Sequence, residues 1–108
     1  MIVLGLKTCD TCRKAARVLA AAGHEVALRD IRAEPLSPEE IAAFLAAFGE
    51  ALVNRRSTTW RALPEAARAR PASELLAAHP ALMRRPVIRT ADGALHPGWE
   101  PGALARLA

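Results

Sequence analysis

The chain has 108 residues, a formal net charge of +4, 52% hydrophobic residues and no tyrosine. That length suits one domain with a single core. The core must rest on Leu, Val and Ile, because much of the apolar content is alanine. No stretch reaches the roughly 18 consecutive apolar residues of a membrane span. The N-terminus has no basic region leading a long apolar run, so no signal peptide is expected. The positive charge is mostly arginine, scattered rather than clustered, and aromatic residues for base stacking are few. The charge therefore suits small anions, and neither a membrane nor a nucleic acid is expected as the partner.

Ile2-Val3-Leu4 reads as a buried strand. The turn Cys9-Asp10-Thr11-Cys12-Arg13 follows, and a helix runs on to Ala22 with Ala15, Val18, Leu19 and Ala22 on one face. Gly23 ends it. Val26, Leu28 and Ile31 alternate as a second strand, so the chain opens β-α-β with a parallel pair and a right-handed crossover. Ser37-Pro38-Glu39-Glu40 is a helix start: Ser37 caps, Pro38 suits the first helical position and Glu40 closes a capping box. This helix carries Ile41, Phe44, Leu45 and Phe48 to a stop at Gly49. Residues 51–70 are mixed, with a turn or more of helix over Thr59–Leu63 and breaks at Pro64 and Pro71. Ser73 is expected to cap a short helix, Glu74–Ala78, that ends at His79-Pro80. Val87–Thr90 reads as a strand, Asp92-Gly93 as a hairpin turn and Ala94–His96 as the partner strand. Glu100–Leu107 closes with a helix. The order β-α-β, helices, β-β-α predicts an α/β thioredoxin-like (glutaredoxin-like) domain over 1–108. It would hold a four-stranded mixed sheet with flanking helices and a helical insertion at roughly 37–79.

Cys9 and Cys12 are the only cysteines, three apart at a strand-to-helix turn. Backbone N–H groups at a helix start stabilise an anion, and the thiolate is the reactive form of cysteine. Lys7, Arg13 and Lys14 surround Cys9 in sequence. Cys9 is thus the expected nucleophile, and Cys12, one turn in, is placed to resolve a sulfur adduct on Cys9 as an intramolecular disulfide. Two other readings exist. Both cysteines could be small buried hydrophobes, or they could ligate zinc, for which His24, His79 and His96 are not paired at ligand spacing. A reducing cytoplasm is the expected compartment, and C-x-x-C beside a β-α unit reads there as redox or catalytic.

The chain resembles the glutaredoxin-coupled arsenate reductase (ArsC-type) family and its relative Spx, a thiol-sensing transcription regulator. Cys9-Asp10-Thr11-Cys12-Arg13 matches the C-x-x-[S/C]-R pattern, whose C-x-x-C form is the one seen in Spx. The stretch with His79-Pro80, Leu82 and Arg84-Arg85-Pro86-Val87 looks like the family's late signature. Asn54-Arg55-Arg56-Ser57-Thr58-Thr59-Trp60-Arg61-Ala62-Leu63 is most similar to a third branch of short, reductase-like proteins. The resemblance implies the same thioredoxin-like fold and places Cys9 as nucleophile with Arg13 beside it at the helix start. It also implies that Arg85 precedes a cis-proline, Pro86, and that Arg56 stands in the helical insertion. Arg56 and Arg85 would converge on Cys9, where arginine's planar fork suits an oxyanion or a glutathione carboxylate.

The expected function is therefore a thiol-dependent oxidoreductase with no bound cofactor and no metal. Glutathione would be its co-substrate, a small oxyanion or thiol compound its substrate, and glutaredoxin or thioredoxin its protein partner. Cys12 or glutathione would resolve the adduct. The alternative is a Spx-like redox sensor that binds RNA polymerase. Arsenate reductases of this type carry a histidine where this chain has Gly5, and a further arginine where it has His96-Pro97-Gly98-Trp99. Weak or absent turnover of arsenate itself is the resulting expectation. Trp60 and Trp99 are expected as core or lid residues, and Arg68 and Arg70 as a solvated helix face.

Overall fold

Three short strands assemble around β1 (Ile2–Gly5) in the computed structural model, which describes residues 1–100 and 102–107. β2 (Ala27–Asp30) pairs with β1 in parallel, from Ile2 opposite Ala27 to Gly5 opposite Asp30. On the other side β3 (Val87–Arg89) runs antiparallel to β1, and β4 (Leu95–Pro97) antiparallel to β3, giving the order β2-β1-β3-β4. The central strands are the apolar ones, and Val3, Leu4, Val87 and Ile88 are fully buried. Helix α1 (Asp10–Ala21) lays Cys12, Ala15 and Leu19 on Val3 and Ile88, and Leu107 of α6 (Ala103–Leu107) joins the same cluster. Val26, Leu28 and Trp99 pack against it, partly buried. A mixed sheet with flanking helices, in this strand order, is the thioredoxin-like fold expected from the order of elements.

Local chemistry explains where the strands and helices stop. Gly23 takes φ +97 after α1, and its N–H bonds Ala20 O at 3.0 Å. The β3–β4 hairpin is looser than its Asp92-Gly93 signal suggests. Thr90 and Ala94, expected in the strands, belong to the loop. Asp92 Oδ1 accepts from Ala94 N–H at 3.2 Å and from the Thr90 hydroxyl. Those two donors draw the backbone into the loop and hold the Asp92 carboxyl below its usual range. α6 begins at Ala103 rather than near Glu100, after Gly102 at φ +88. Pro101, within the span expected to be helical, lies outside the described residues.

Residues Arg32–Arg84 form a second compact unit, and Met1–Ile31 with the chain from Arg85 onward form the first. The helical unit reaches past the expected 37–79 because the chain after His79 is tied back within it. A 3-10 turn at Pro80–Leu82 leads to a bridge between Met83 and Val53, and Arg84 N–H bonds Leu52 O at 2.7 Å. Helix α2 (Pro38–Phe48) has the full capping box: Glu40 N–H to Ser37 Oγ at 3.1 Å and Ser37 N–H to Glu40 Oε1 at 2.9 Å. α3 (Thr58–Ala62) is capped by Ser57 Oγ, which accepts from Trp60 N–H at 3.1 Å.

Pro64 and Pro71, expected as breaks, are the N-caps of two further helices, α4 (Glu65–Arg68) and α5 (Ala72–Ala78). The locked φ of proline suits entry into a helix as well as exit from one. Ser73 consequently lies inside α5 and does not cap it. Ile41, Phe44, Leu52, Leu75, Leu76 and Leu82 are this unit's main buried apolar residues. Among the described residues no helix is long and apolar enough to cross a membrane. Nor do three or more His, Cys, Asp or Glu side chains among them gather as metal ligands.

Candidate active site at the end of β1

β1 stops at Gly5, and the chain turns through 6–8 into α1. Cys9 N–H bonds Leu6 O at 3.0 Å, and Lys7 N–H bonds Asp30 Oδ2 at 3.0 Å, which ties the turn to the end of β2. Cys9 is the N-cap of α1, with extended backbone (φ −83, ψ 117) and a side chain that does not cap. Its carbonyl accepts Arg13 N–H at 3.0 Å as the first helical bond. The sulfur is therefore left beside the unpaired N–H groups of a twelve-residue helix.

Cys9 is half-buried and Cys12 is fully buried. Burial alone would raise the Cys9 pKa. It is outweighed by hydrogen bonds from the Cys12 backbone and side chain, and by the charge and hydrogen bond of the Arg85 guanidinium, so the Cys9 thiol sits below its ordinary value. Cys12 moves the other way, pushed up to about 12 by burial and by its hydrogen bond to, and the charge of, Cys9. The Leu6 backbone and Arg85 offset this only in part. Cys9 is thus the more acidic of the two thiols, and Cys12 is the one held protonated.

Of the residues singled out in sequence, the structure brings together Cys9, Cys12 and Arg85. Arg85 is half-buried, and its peptide bond to the buried Pro86 is cis. Arg13 points elsewhere: its guanidinium pairs with Asp10 on the exposed first turn of α1. Arg56 belongs to the helical unit. There it lines, with Glu50, Asn54, Arg55 and Arg84, an open concavity of about 390 Å³.

Two features were not read from sequence. Gly5 directly abuts the Cys12 side chain. In the helical unit, two guanidinium groups lie over the Trp60 ring, Arg55 at 5.3 Å and Arg68 at 5.8 Å from its centre. Arg68 is exposed, as expected of a solvated helix face, and from there donates to Trp60 O at 3.3 Å and Arg61 O at 3.0 Å. An arginine just beyond a one-turn helix is well placed to satisfy its last carbonyls.

The contrast between the thiols predicts their labelling order. In the folded protein near pH 7, iodoacetamide should modify Cys9 alone, and its rate should rise with pH to a midpoint below ~8.5, the value for a free thiol. Cys12 should label only after unfolding in denaturant. Peptide mass mapping checks this, and equal labelling of both residues in the folded protein would contradict the burial and charge assignment.

Comparison with known proteins agrees with this architecture. The ArsC family model matches residues 4–106. A Haemophilus influenzae protein is 40% identical over 91 residues, covering 80% of each chain. The solved structure of the YffB protein superposes with a TM-score of 0.86 at 31% identity, over 98% of this chain and 96% of that one. An arsenate reductase related protein from Brucella melitensis gives a TM-score of 0.74 at 37% identity, over 94% and 88%. An arsenate reductase from Vibrio cholerae shares the fold, with a TM-score of 0.76 at 17% identity over 99% and 96%. The family match runs from Leu4 in β1 to Arg106 in α6 and takes in both the cysteine turn and the Arg85–Pro86 segment, so this chain belongs to the ArsC family.

Proposed function

We propose that the protein is a glutathione-coupled thiol oxidoreductase that reduces mixed disulfides through Cys9. The observation that carries this reading is the state of Cys9: half-buried at a helix N-cap, yet with its pKa lowered by Cys12 and Arg85 against the effect of burial. A thiolate so placed can attack the glutathione sulfur of a mixed disulfide. A bond from Cys9 Sγ to that sulfur forms, the substrate's S–S bond breaks, and the released thiolate takes a proton from water. A glutathione thiolate then attacks the glutathione sulfur held on Cys9. This frees Cys9 as thiolate and yields oxidised glutathione. The substrate's glutathione sulfur stays at the disulfide level throughout, so the sulfur released as a thiol is reduced at the expense of the free glutathione thiol, and both glutathiones leave as the oxidised dimer. Glutaredoxin or thioredoxin could serve in place of the free glutathione. Arg85 holds the negative charge that moves between sulfur atoms.

Of the two resolving thiols considered, the external one fits better. Cys12 is fully buried, and burial disfavours its thiolate even when Cys9 is capped as a neutral disulfide. Arsenate is the poorer substrate in this reading. Gly5 offers no side-chain donor to an oxyanion, and residues 96–99 offer no arginine. Each missing charge-assisted donor is worth ~10²–10³ in rate.

The test is NADPH consumption in the presence of glutathione and glutathione reductase, with the mixed disulfide of cysteine and glutathione as substrate. Consumption proportional to added protein is expected, with arsenate near background. No turnover of the mixed disulfide would overturn the proposal, and robust turnover of arsenate alone would replace it with an arsenate reductase.

A further inference from the structure

We propose that Gly5 is a positioning residue of this site: the Cβ it lacks leaves the space that Cys12 Sγ fills, and so keeps the Cys12 thiol in place as a hydrogen-bond donor to Cys9. The inference deepens the proposed thiol chemistry and rests on Cys9 being its reactive group.

Gly5 is the last residue of β1 and has the extended backbone of a strand, so nothing in its dihedral angles calls for glycine. Its neighbours in space do. A Cβ built on Gly5 would come closer than 3.0 Å to Cys12 Sγ, a separation that real Cβ atoms essentially never show, and would lie 3.3 Å from Cys12 Cβ and 3.8 Å from Arg85 Cβ. The pressure therefore falls on the sulfur.

Cys12 Sγ has little room to yield. Cys12 is fully buried in the cluster of Val3, Ala15, Leu19 and Ile88, and its backbone is held in α1. Interiors packed this tightly move discretely rather than give gradually. A methyl group at position 5 would turn the Cys12 side chain to another rotamer. That motion takes the S–H away from Cys9 and leaves the Cys12 backbone N–H and Arg85 as the remaining donors. A side chain at position 5 and a thiol donor at position 12 are in this sense mutually exclusive.

The test measures the pH dependence of Cys9 alkylation by iodoacetamide in wild type, Gly5→Ala, Cys12→Ala, Cys12→Ser and the Gly5→Ala/Cys12→Ala double variant. It reads Cys9 directly and needs no turnover. Loss of the proposed enzyme activity and loss of this inference are thus distinguishable. Gly5→Ala and Cys12→Ala should each move the midpoint upward by a similar amount, and the double variant no further than either. Cys12→Ser keeps a donor at the same place and should hold the midpoint nearer to wild type. The double variant lacks Sγ and should melt at a higher temperature than Gly5→Ala.

Should Gly5→Ala fail to fold, a folded double variant with the Cys12→Ala midpoint supports the proposal by rescue. An unmoved midpoint in folded Gly5→Ala, additive shifts in the double variant, or a double variant that also fails to fold would overturn it.

Discussion

Cys9→Ser should reduce mixed-disulfide turnover by at least ~10³, to background, while the melting temperature stays close to that of wild type. A serine hydroxyl at position 9 is not ionised at neutral pH, and oxygen cannot form the S–S bond that the first step requires. Cys9 is only half-buried, and it contacts the cluster of Val3, Cys12, Leu19 and Ile88 from its edge. An isosteric loss of sulfur there costs little stability. The coupled NADPH assay and a thermal melt check the two halves of this prediction. Turnover within about tenfold of wild type would move the chemistry to another residue.

Arg85→Ala should raise the Cys9 pKa by on the order of one unit and slow turnover by roughly 10². Arg85 acts on Cys9 both through its charge and through a hydrogen bond. Removing it takes away attraction for the thiolate while the rest of the site still covers Cys9. Arg85→Lys keeps the charge without the planar fork, so its midpoint should fall between those of wild type and Arg85→Ala.

The same shift bears on stability, with a definite sign. The folded Cys9 pKa lies below that of the unfolded chain. Ionisation of Cys9 therefore adds stability that is fully present above the unfolded thiol value and is lost as pH falls through the folded one. Arg85→Ala should narrow that window and reduce the alkaline-side gain. The alkylation midpoint and chemical denaturation across the window measure both effects. An unchanged midpoint would remove Arg85 from the electrostatics of the site.

Features governed by a few neighbouring residues were the ones that could be read without coordinates. The Ser37–Glu40 capping box is complete within four residues, and both of its bonds form. The Gly23 stop and the cysteine turn between a buried strand and an amphipathic helix are equally local. Alternation and helical periodicity carried the order of elements along the chain, because burial preference is written in each segment's own side chains, although β2 is Ala27–Asp30 and leaves Val26 and Ile31 just outside it. The errors also have local causes. Proline marks a boundary without saying on which side the helix lies, so Pro64 and Pro71 stood as breaks rather than as the starts of α4 and α5. Ser73 is a good cap by type, yet the helix had already begun. Thr90 and Ala94 flank the turn and read as strand ends, but both donate to the Asp92 side chain and so belong to the loop.

Long-range placement is a different matter. Residue type and family resemblance nominate Arg85 as an anion-binding group. That its guanidinium reaches Cys9 depends on how β3 pairs with β1 and how α1 lies on the sheet, whereas Arg13 is drawn aside by its neighbour on the same turn, Asp10. The opposite fates of two cysteines three residues apart come from the same docking. α1 turns Cys12 into the core against Gly5 and leaves Cys9 at the rim. Sequence pattern records which residues prefer burial or a cap, since those preferences belong to each residue and its near neighbours. A thiol's ionisation belongs to the groups and the solvent that surround it, and these assemble only when distant segments pack.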